Sequence, residues 1–187
     1  MDKRLFIGIK IKIEDKLLAG INDIKKSLKD EYIKWVEIEN LHITLLFIGN
    51  VKEEKIPEII KKLGSVKCNL NSECIKFMNF GVFRNIHQPG VLWIGIDPVN
   101  QLKELKAQID QSIINAGLEI KPEENFHPHL TLARPKFIRN RNNLKTQIEK
   151  FKGYIFQEIK PEKFQLFESK LSPHGPVYSI MSEFSPD

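Results

Sequence analysis

The chain of 187 residues is long enough for one domain, or for two small lobes around a cleft, with a hydrophobic core that needs no covalent staple. Apolar residues at 41% and charged residues at 28% exclude a disordered or membrane-embedded chain, and no window approaches the roughly 20 apolar residues that cross a bilayer. Twenty-nine Lys and Arg against 24 Asp and Glu leave a formal +5, which admits an anionic partner without requiring one, since many of the lysines sit among acids on helix faces.

In chain order, "LFIGIKIKI" (residues 5–13) reads as a strand, and its lysines and lack of a cleavage site argue against a signal peptide. The expected compartment is the cytoplasm, where Cys68 and Cys74 are expected as reduced thiols with no role. "DKLLAGINDIKKSLKD" (15–30) has apolar residues at helical spacing, and "HITLLFIG" (42–49) reads as the next strand. "EEKIPEIIKKLG" (53–64) reads as a short helix ending in Gly, and "CIKFMNFGVF" (74–83) as a strand. The turn residues "HQPG" (87–90) mark a boundary. Beyond it the order recurs: strand "VLWIGID" (91–97), a helix over 101–117 that Asn100 can cap, strand "HPHLTLAR" (127–134), helix 140–153, and strand "EKFQLFESKL" (162–171). The tail "PVYSIMSEF" (176–184) predicts one further strand.

This recurrence has a fixed offset. Phe6 of "FIGI" and Trp93 of "WIGI", His42 and His129, and Lys76 of "KFMNF" and Lys163 of "KFQLF" are each 87 residues apart. Three matches at one offset predict a duplication, with pseudo-repeats over 1–86 and 88–187 in a single bilobal domain spanning 1–187.

Residues i and i+2 of a strand share a face, so His42 points with Thr44, and His129 with Thr131. A hydrogen-bonded core histidine is the plainer account of one imidazole on an apolar strand. It explains less well why the same polar pair recurs in both repeats. If a pseudo-twofold axis relates the halves, the four side chains converge on one cleft. Two opposed imidazoles suit transfer at phosphorus, one accepting a proton from the nucleophile and the other donating one to the leaving oxygen, with hydroxyls on the non-bridging oxygens. Such chemistry demands no metal and no cofactor. A metal site at His127 and His129 lacks a supporting carboxylate or cysteine cluster in sequence.

"HITL" and "HLTL", together with "WVEIENLHITLLFIG", "GVF", "PGVLWIGI", "FHPHLTLARPK" and "ESKLSPHGPVYSI", resemble the two-histidine phosphoesterase superfamily, and within it the LigT-like RNA 2',3'-cyclic phosphodiesterases. The resemblance covers nearly the whole chain. It implies an α+β fold of two pseudo-symmetric lobes, each an antiparallel sheet with two helices outside, flanking a central cleft. It also implies metal-independent hydrolysis of an RNA-terminal 2',3'-cyclic phosphate to a 2'-phosphomonoester, with His42 as proton donor and His129 as proton acceptor. The residues alone leave that assignment open. Thr44, Thr131 and Arg134 are expected to bind the phosphate. Arg134 is a departure from the duplication, because its counterpart is Phe47, and strict strand parity turns it away from Thr131 unless the strand bulges before Pro135. Phe126, His174 and Tyr178 are candidates for substrate contact; Trp35 is better suited to packing, and Ser169 and Lys170 match family positions without an assigned role. The expected partner is an RNA or oligonucleotide end, met by a monomer with no membrane and no obligate protein partner. Alternatives are a phosphoesterase for small nucleotide cyclic phosphates or 2'-5' linked oligonucleotides, a non-catalytic binder of RNA ends, and a metal-dependent hydrolase.

Overall fold

The computed structural model describes residues 2–68, 70, 72–120, 123, 125–173 and 175–185. In chain order its elements are β1 (Asp2–Lys10), α1 (Asp15–Ser27), β2 (Tyr32–Trp35), β3 (His42–Lys52), α2 (Ile56–Leu63), β4 (Ile75–Arg84) and β5 (Pro89–Asp97). These are followed by α3 (Asn100–Asn115), β6 (His129–Phe137), α4 (Arg141–Lys150), β7 (Ile155–Ile159), β8 (Phe164–Ser172) and β9 (Gly175–Phe184).

β1 is buried at five consecutive positions, Leu5 to Ile9, as a central strand covered on both faces must be. It lies between β3 and β8, antiparallel to both. The full strand order is β7-β4-β5-β6-β3-β1-β8-β9, with β2 added on β6. Every pairing is antiparallel. The sheet narrows at its centre, where β3 and β6 meet through the single pair Ile43 and Leu130. Those two residues are themselves 87 apart. The pair is therefore self-equivalent under the duplication and lies on the pseudo-twofold axis, with β3-β1-β8-β9 on one side and β6-β5-β4-β7 on the other.

The lobes are not the sequence halves, since each is assembled from both pseudo-repeats. β1 and β3 of the first repeat share a lobe with β8 and β9 of the second through the β1–β8 pairing, while β4 of the first repeat sits among β5, β6 and β7. Helices cross over as well. α1 follows β1 yet packs on β7 and α4 in the opposite lobe, and α3 follows β5 yet packs on β3 and α2. The expected turn at 87–90 lies at the tip of the β4–β5 hairpin, closed by residues 85–88 with Pro89 and Gly90 already in β5, inside one lobe rather than between two bodies. Each lobe thus carries two helices on its outer side, and its core is made of residues from both repeats, including Ile7, Leu17, Ile43, Phe77, Leu130 and Leu166.

Several boundaries differ from expectation. α1 stops at Ser27, and residues 53–55 form a 3-10 turn before Pro57 enters the first turn of α2, where its missing N–H costs nothing. Asn100 does not cap α3; it is the first helical residue. Asn140 is the residue whose side chain caps a helix, its carbonyl accepting the N–H of Asn143 at 2.9 Å. The short strands β2 and β7 were not anticipated; at four and five residues they are too brief for a periodic signal. Cys68 is buried and Cys74 exposed, and both are free. Among the described residues, no helix is long and apolar enough to cross a membrane.

Candidate active site

The Ile43–Leu130 pair sets the geometry of everything around it. Extending the antiparallel register by one residue each way puts His42 opposite Thr131, and Thr44 opposite His129. Ile43 and Leu130 are fully buried beneath the sheet, so the four polar residues share the other face. All four are partly exposed there.

Both imidazoles are held the same way. His42 Nδ1 lies 2.7 Å from the carbonyl oxygen of Asn40, and His129 Nδ1 lies 2.8 Å from that of His127. Asn40 and His127 are again 87 residues apart, so the duplication has preserved the clamp. A carbonyl can only accept, which commits each Nδ1 to carrying its hydrogen and leaves each Nε2 for chemistry. Thr44 Oγ1 stands 3.1 Å from His42 Nε2. His127 therefore serves through its backbone, and among the described residues no group of three His, Cys, Asp or Glu side chains is arranged to hold a metal ion.

Burial pushes the pKa of both histidines below the ordinary value, since desolvation penalises the imidazolium. The Asn40 carbonyl opposes that shift at His42, and His129 adds to it. At His129 the His127 carbonyl and Glu123 favour the charged ring, against the repulsion of Arg134 and His127.

Aromatic rings support the imidazoles. His42 is tilted over Phe6 at 4.8 Å between centroids and meets Tyr178 edge-on at 5.2 Å; Phe6 in turn stacks on Phe167 at 4.7 Å. His129 meets Phe83 edge-on at 4.7 Å, and Phe83 leans on Trp93. Trp93 occupies the space over Gly81, where any Cβ would collide with the indole ring.

The parity of Arg134 is resolved by a bulge. Along β5 and β6, Trp93 pairs with Thr131 but Leu92 with Ala133, so Leu132 is an extra residue. Leu132 and Ala133 are consequently both buried, and Arg134 returns to the face of Thr131. β3 does the same: Gly8 pairs with Thr44 and Ile7 with Leu46, which makes Leu45 the extra residue and turns Phe47 onto the cleft face, 64% exposed.

His42, Thr44, Thr131, Arg134 and Tyr178 line one cavity of about 270 Å³, joined by Lys34, Asn40 and Phe47. Among the described residues no carboxylate lines it. His129 borders a second cavity of about 590 Å³, whose lining includes Phe83, Trp93 and Asp97. Phe126 is not in either cavity. It faces Lys103, Lys106 and Asp110 of α3, with the Lys106 ammonium 5.6 Å from its ring centroid. Trp35 packs against the core beneath Lys25. Ser169 pairs with Tyr178 across β8 and β9, and exposed Lys170 lies 3.7 Å from Glu168. His174 lies outside the described residues. Sequence reasoning missed Lys34 and Asn40. Lys34 sits on β2, which is too short to announce itself by periodicity, and Asn40 acts through a carbonyl, which no side-chain pattern announces.

The LigT like Phosphoesterase family matches the chain twice, over residues 8–93 and 94–178. The chain belongs to this family. It is 38% identical to the RNA 2',3'-cyclic phosphodiesterase of Methanocaldococcus jannaschii, covering 97% of this chain and 99% of that protein. The protein of the same name from Aquifex aeolicus is 33% identical, covering 88% and 90%. The crystal structure of Escherichia coli LigT complexed with 3'-AMP superposes with a TM-score of 0.75 at 20% identity, covering 99% of this chain and 98% of that one, a likeness of fold. The expected α+β architecture of two lobes with antiparallel strands is therefore the one this LigT-like chain adopts.

Proposed function

We propose that this LigT-like chain hydrolyses a 2',3'-cyclic phosphate at the end of an RNA to a 2'-phosphomonoester, by acid and base catalysis between His42 and His129. The observation that carries the reading is the self-equivalent Ile43–Leu130 pair, which sets two imidazoles and two hydroxyls on one face with both Nε2 atoms uncommitted to the backbone. The related RNA 2',3'-cyclic phosphodiesterases agree with it in name.

In this mechanism neutral His129 takes a proton from water at Nε2, and the water oxygen forms a bond to phosphorus. The bond from phosphorus to the 3'-oxygen breaks on the opposite side, and the protonated Nε2 of His42 delivers its hydrogen to that oxygen. One water is consumed, one ester bond is lost, and solvent exchange restores both rings. Thr44 and Thr131 donate to the non-bridging oxygens, and the Arg134 guanidinium offsets their charge. Tyr178 and Phe47 offer rings beside the terminal nucleoside, which stays bonded to phosphorus through its 2'-oxygen. The substrate is an RNA end, met in the cytoplasm by a monomer.

The test is incubation of the protein in excess EDTA with a short RNA ending in a 2',3'-cyclic phosphate, alongside His42→Ala and His129→Ala. Conversion to a 2'-phosphate that both substitutions abolish is the expected outcome. A 3'-phosphate product, or activity surviving in either variant, would reject the assignment.

A further inference from the structure

Beyond the cleft, β2 and β6 continue as a two-stranded ribbon whose outward face has an unusual composition. Lys34 pairs directly with Arg134, and Tyr32 with Phe137. Like charges opposite each other cost stability in a sheet, and here neither has an acidic partner: among the described residues no carboxylate lies within ion-pair distance of Lys34, Arg134 or Lys136. Tyr32 is 64% exposed and Phe137 59%. The Lys136 ammonium lies 5.0 Å from the centre of the Tyr32 ring. Glu31, the acid beside this patch, is engaged elsewhere, its carboxylate accepting the backbone N–H groups of Arg139 and Asn140.

Cations interleaved with exposed rings match the chemistry of a single nucleic-acid strand, in which phosphates alternate with bases that stack on any π-face. The patch is also continuous with the catalytic cleft, because Lys34 and Arg134 line both. From Thr131 to Phe137 the strand advances about 20 Å, which is room for several nucleotides. We infer that the β2–β6 ribbon is a track for the RNA strand leading into the cleft, with Lys34 and Lys136 on phosphates and Tyr32 and Phe137 under bases. This rests on the cyclic-phosphate reading and adds to it: the preferred substrate is an oligonucleotide end, read without sequence, rather than a mononucleotide.

The test compares a mononucleoside 2',3'-cyclic phosphate with a six-nucleotide oligoadenylate ending in the same group, on the wild type, on Tyr32→Ala combined with Phe137→Ala, and on Lys136→Gln. The aromatic variant is expected to raise KM for the hexamer by about 5-fold or more, with kcat and all mononucleotide kinetics unchanged. Lys136→Gln is expected to reduce the salt slope of hexamer affinity by about 0.7. Fluorescence anisotropy with a labelled hexamer ending in a 2'-phosphate reads the track without turnover. If wild type and both variants bind that hexamer equally, the track is refuted while the hydrolysis reading stands. Hexamer binding weakened in the variants, with no turnover by the wild type, would keep the track and overturn the hydrolysis.

Discussion

The division of labour between two equivalent histidines can be tested by changing one atom of the substrate. Each ring presents Nε2 because its Nδ1–H is held by a carbonyl, at 2.7 Å for His42 and 2.8 Å for His129. Geometry therefore gives both the same capability, and the acid is recognised by its dependence on the leaving group. An alkoxide leaving from the 3'-carbon needs a proton. A thiolate does not, since its pKa is lower by several units and lies near 8.5. In an RNA whose bridging 3'-oxygen is replaced by sulfur, His42→Ala is expected to cost less than about 10-fold, against about 10² to 10⁴ on the oxygen substrate. The latter range corresponds to about 2.7 to 5.5 kcal/mol of barrier. His129→Ala is expected to lose about 10² to 10⁴ on both substrates, because water must still be activated. Single-turnover rates in EDTA, with enzyme in excess, isolate the chemical step. Rescue of His129→Ala by sulfur would exchange the roles. An equal loss for His42→Ala on both substrates would refute general-acid catalysis by His42.

Because burial lowers both pKa values, kcat/KM is expected to be bell-shaped with its maximum below pH 6.5, the falling limb reporting loss of the acid's proton and the rising limb loss of the base's; bound phosphate favours the charged rings, so the kcat profile is displaced to higher pH. The same direction of shift means the folded state resists protonation, so a stability penalty builds as pH falls through 6.5, and replacing both histidines by Gln should remove it from a denaturation series at pH 5 and pH 7.5. Arg134→Ala is expected to lower kcat/KM by about 10- to 150-fold, the worth of a hydrogen bond to a charged group, with only part of it returned by Lys; an Arg134→Ala rate within 2-fold of wild type removes it from the phosphate site. A Cβ on Gly8 would stand 2.5 Å from the Ile43 carbonyl oxygen and 3.5 Å from the His42 ring, so Gly8→Ala is expected to shift β3. That overpacking costs about 1 to 3 kcal/mol, read as a lower Tm together with a fall in kcat.

What the sequence disclosed and what it withheld divide along a physical line. The 87-residue offset, the His-x-Thr faces and the long helices were legible because each depends on local periodicity or on direct repetition. The exchange of strands and helices between lobes was not, since β1 pairing with β8 is a contact across more than 150 residues that no local pattern encodes. The bulges were half visible. A basic residue at 134 on the wrong parity is a contradiction in the sequence, and a contradiction at a functional strand is what a bulge resolves. Phe126 is the converse case: adjacent in sequence to the second motif, it lies in space beside α3.

The interleaving also explains how a duplicated fold can perform an asymmetric reaction. Symmetry delivers the features that must match: the carbonyl clamps at Asn40 and His127, the bulges at Leu45 and Leu132, and the axial pair Ile43 and Leu130. An in-line displacement at phosphorus requires groups on opposite sides, and a twofold axis through the sheet supplies that arrangement. Direction must come from the departures. Arg134 stands where the other repeat has Phe47, Tyr178 meets His42 while Phe83 meets His129, and the basic β2–β6 ribbon opens from the cavity that holds His42. An RNA strand entering along that ribbon brings its terminal phosphate in with a defined orientation. On the proposed mechanism one histidine then faces the leaving oxygen and the other faces water, although the rings themselves are held alike.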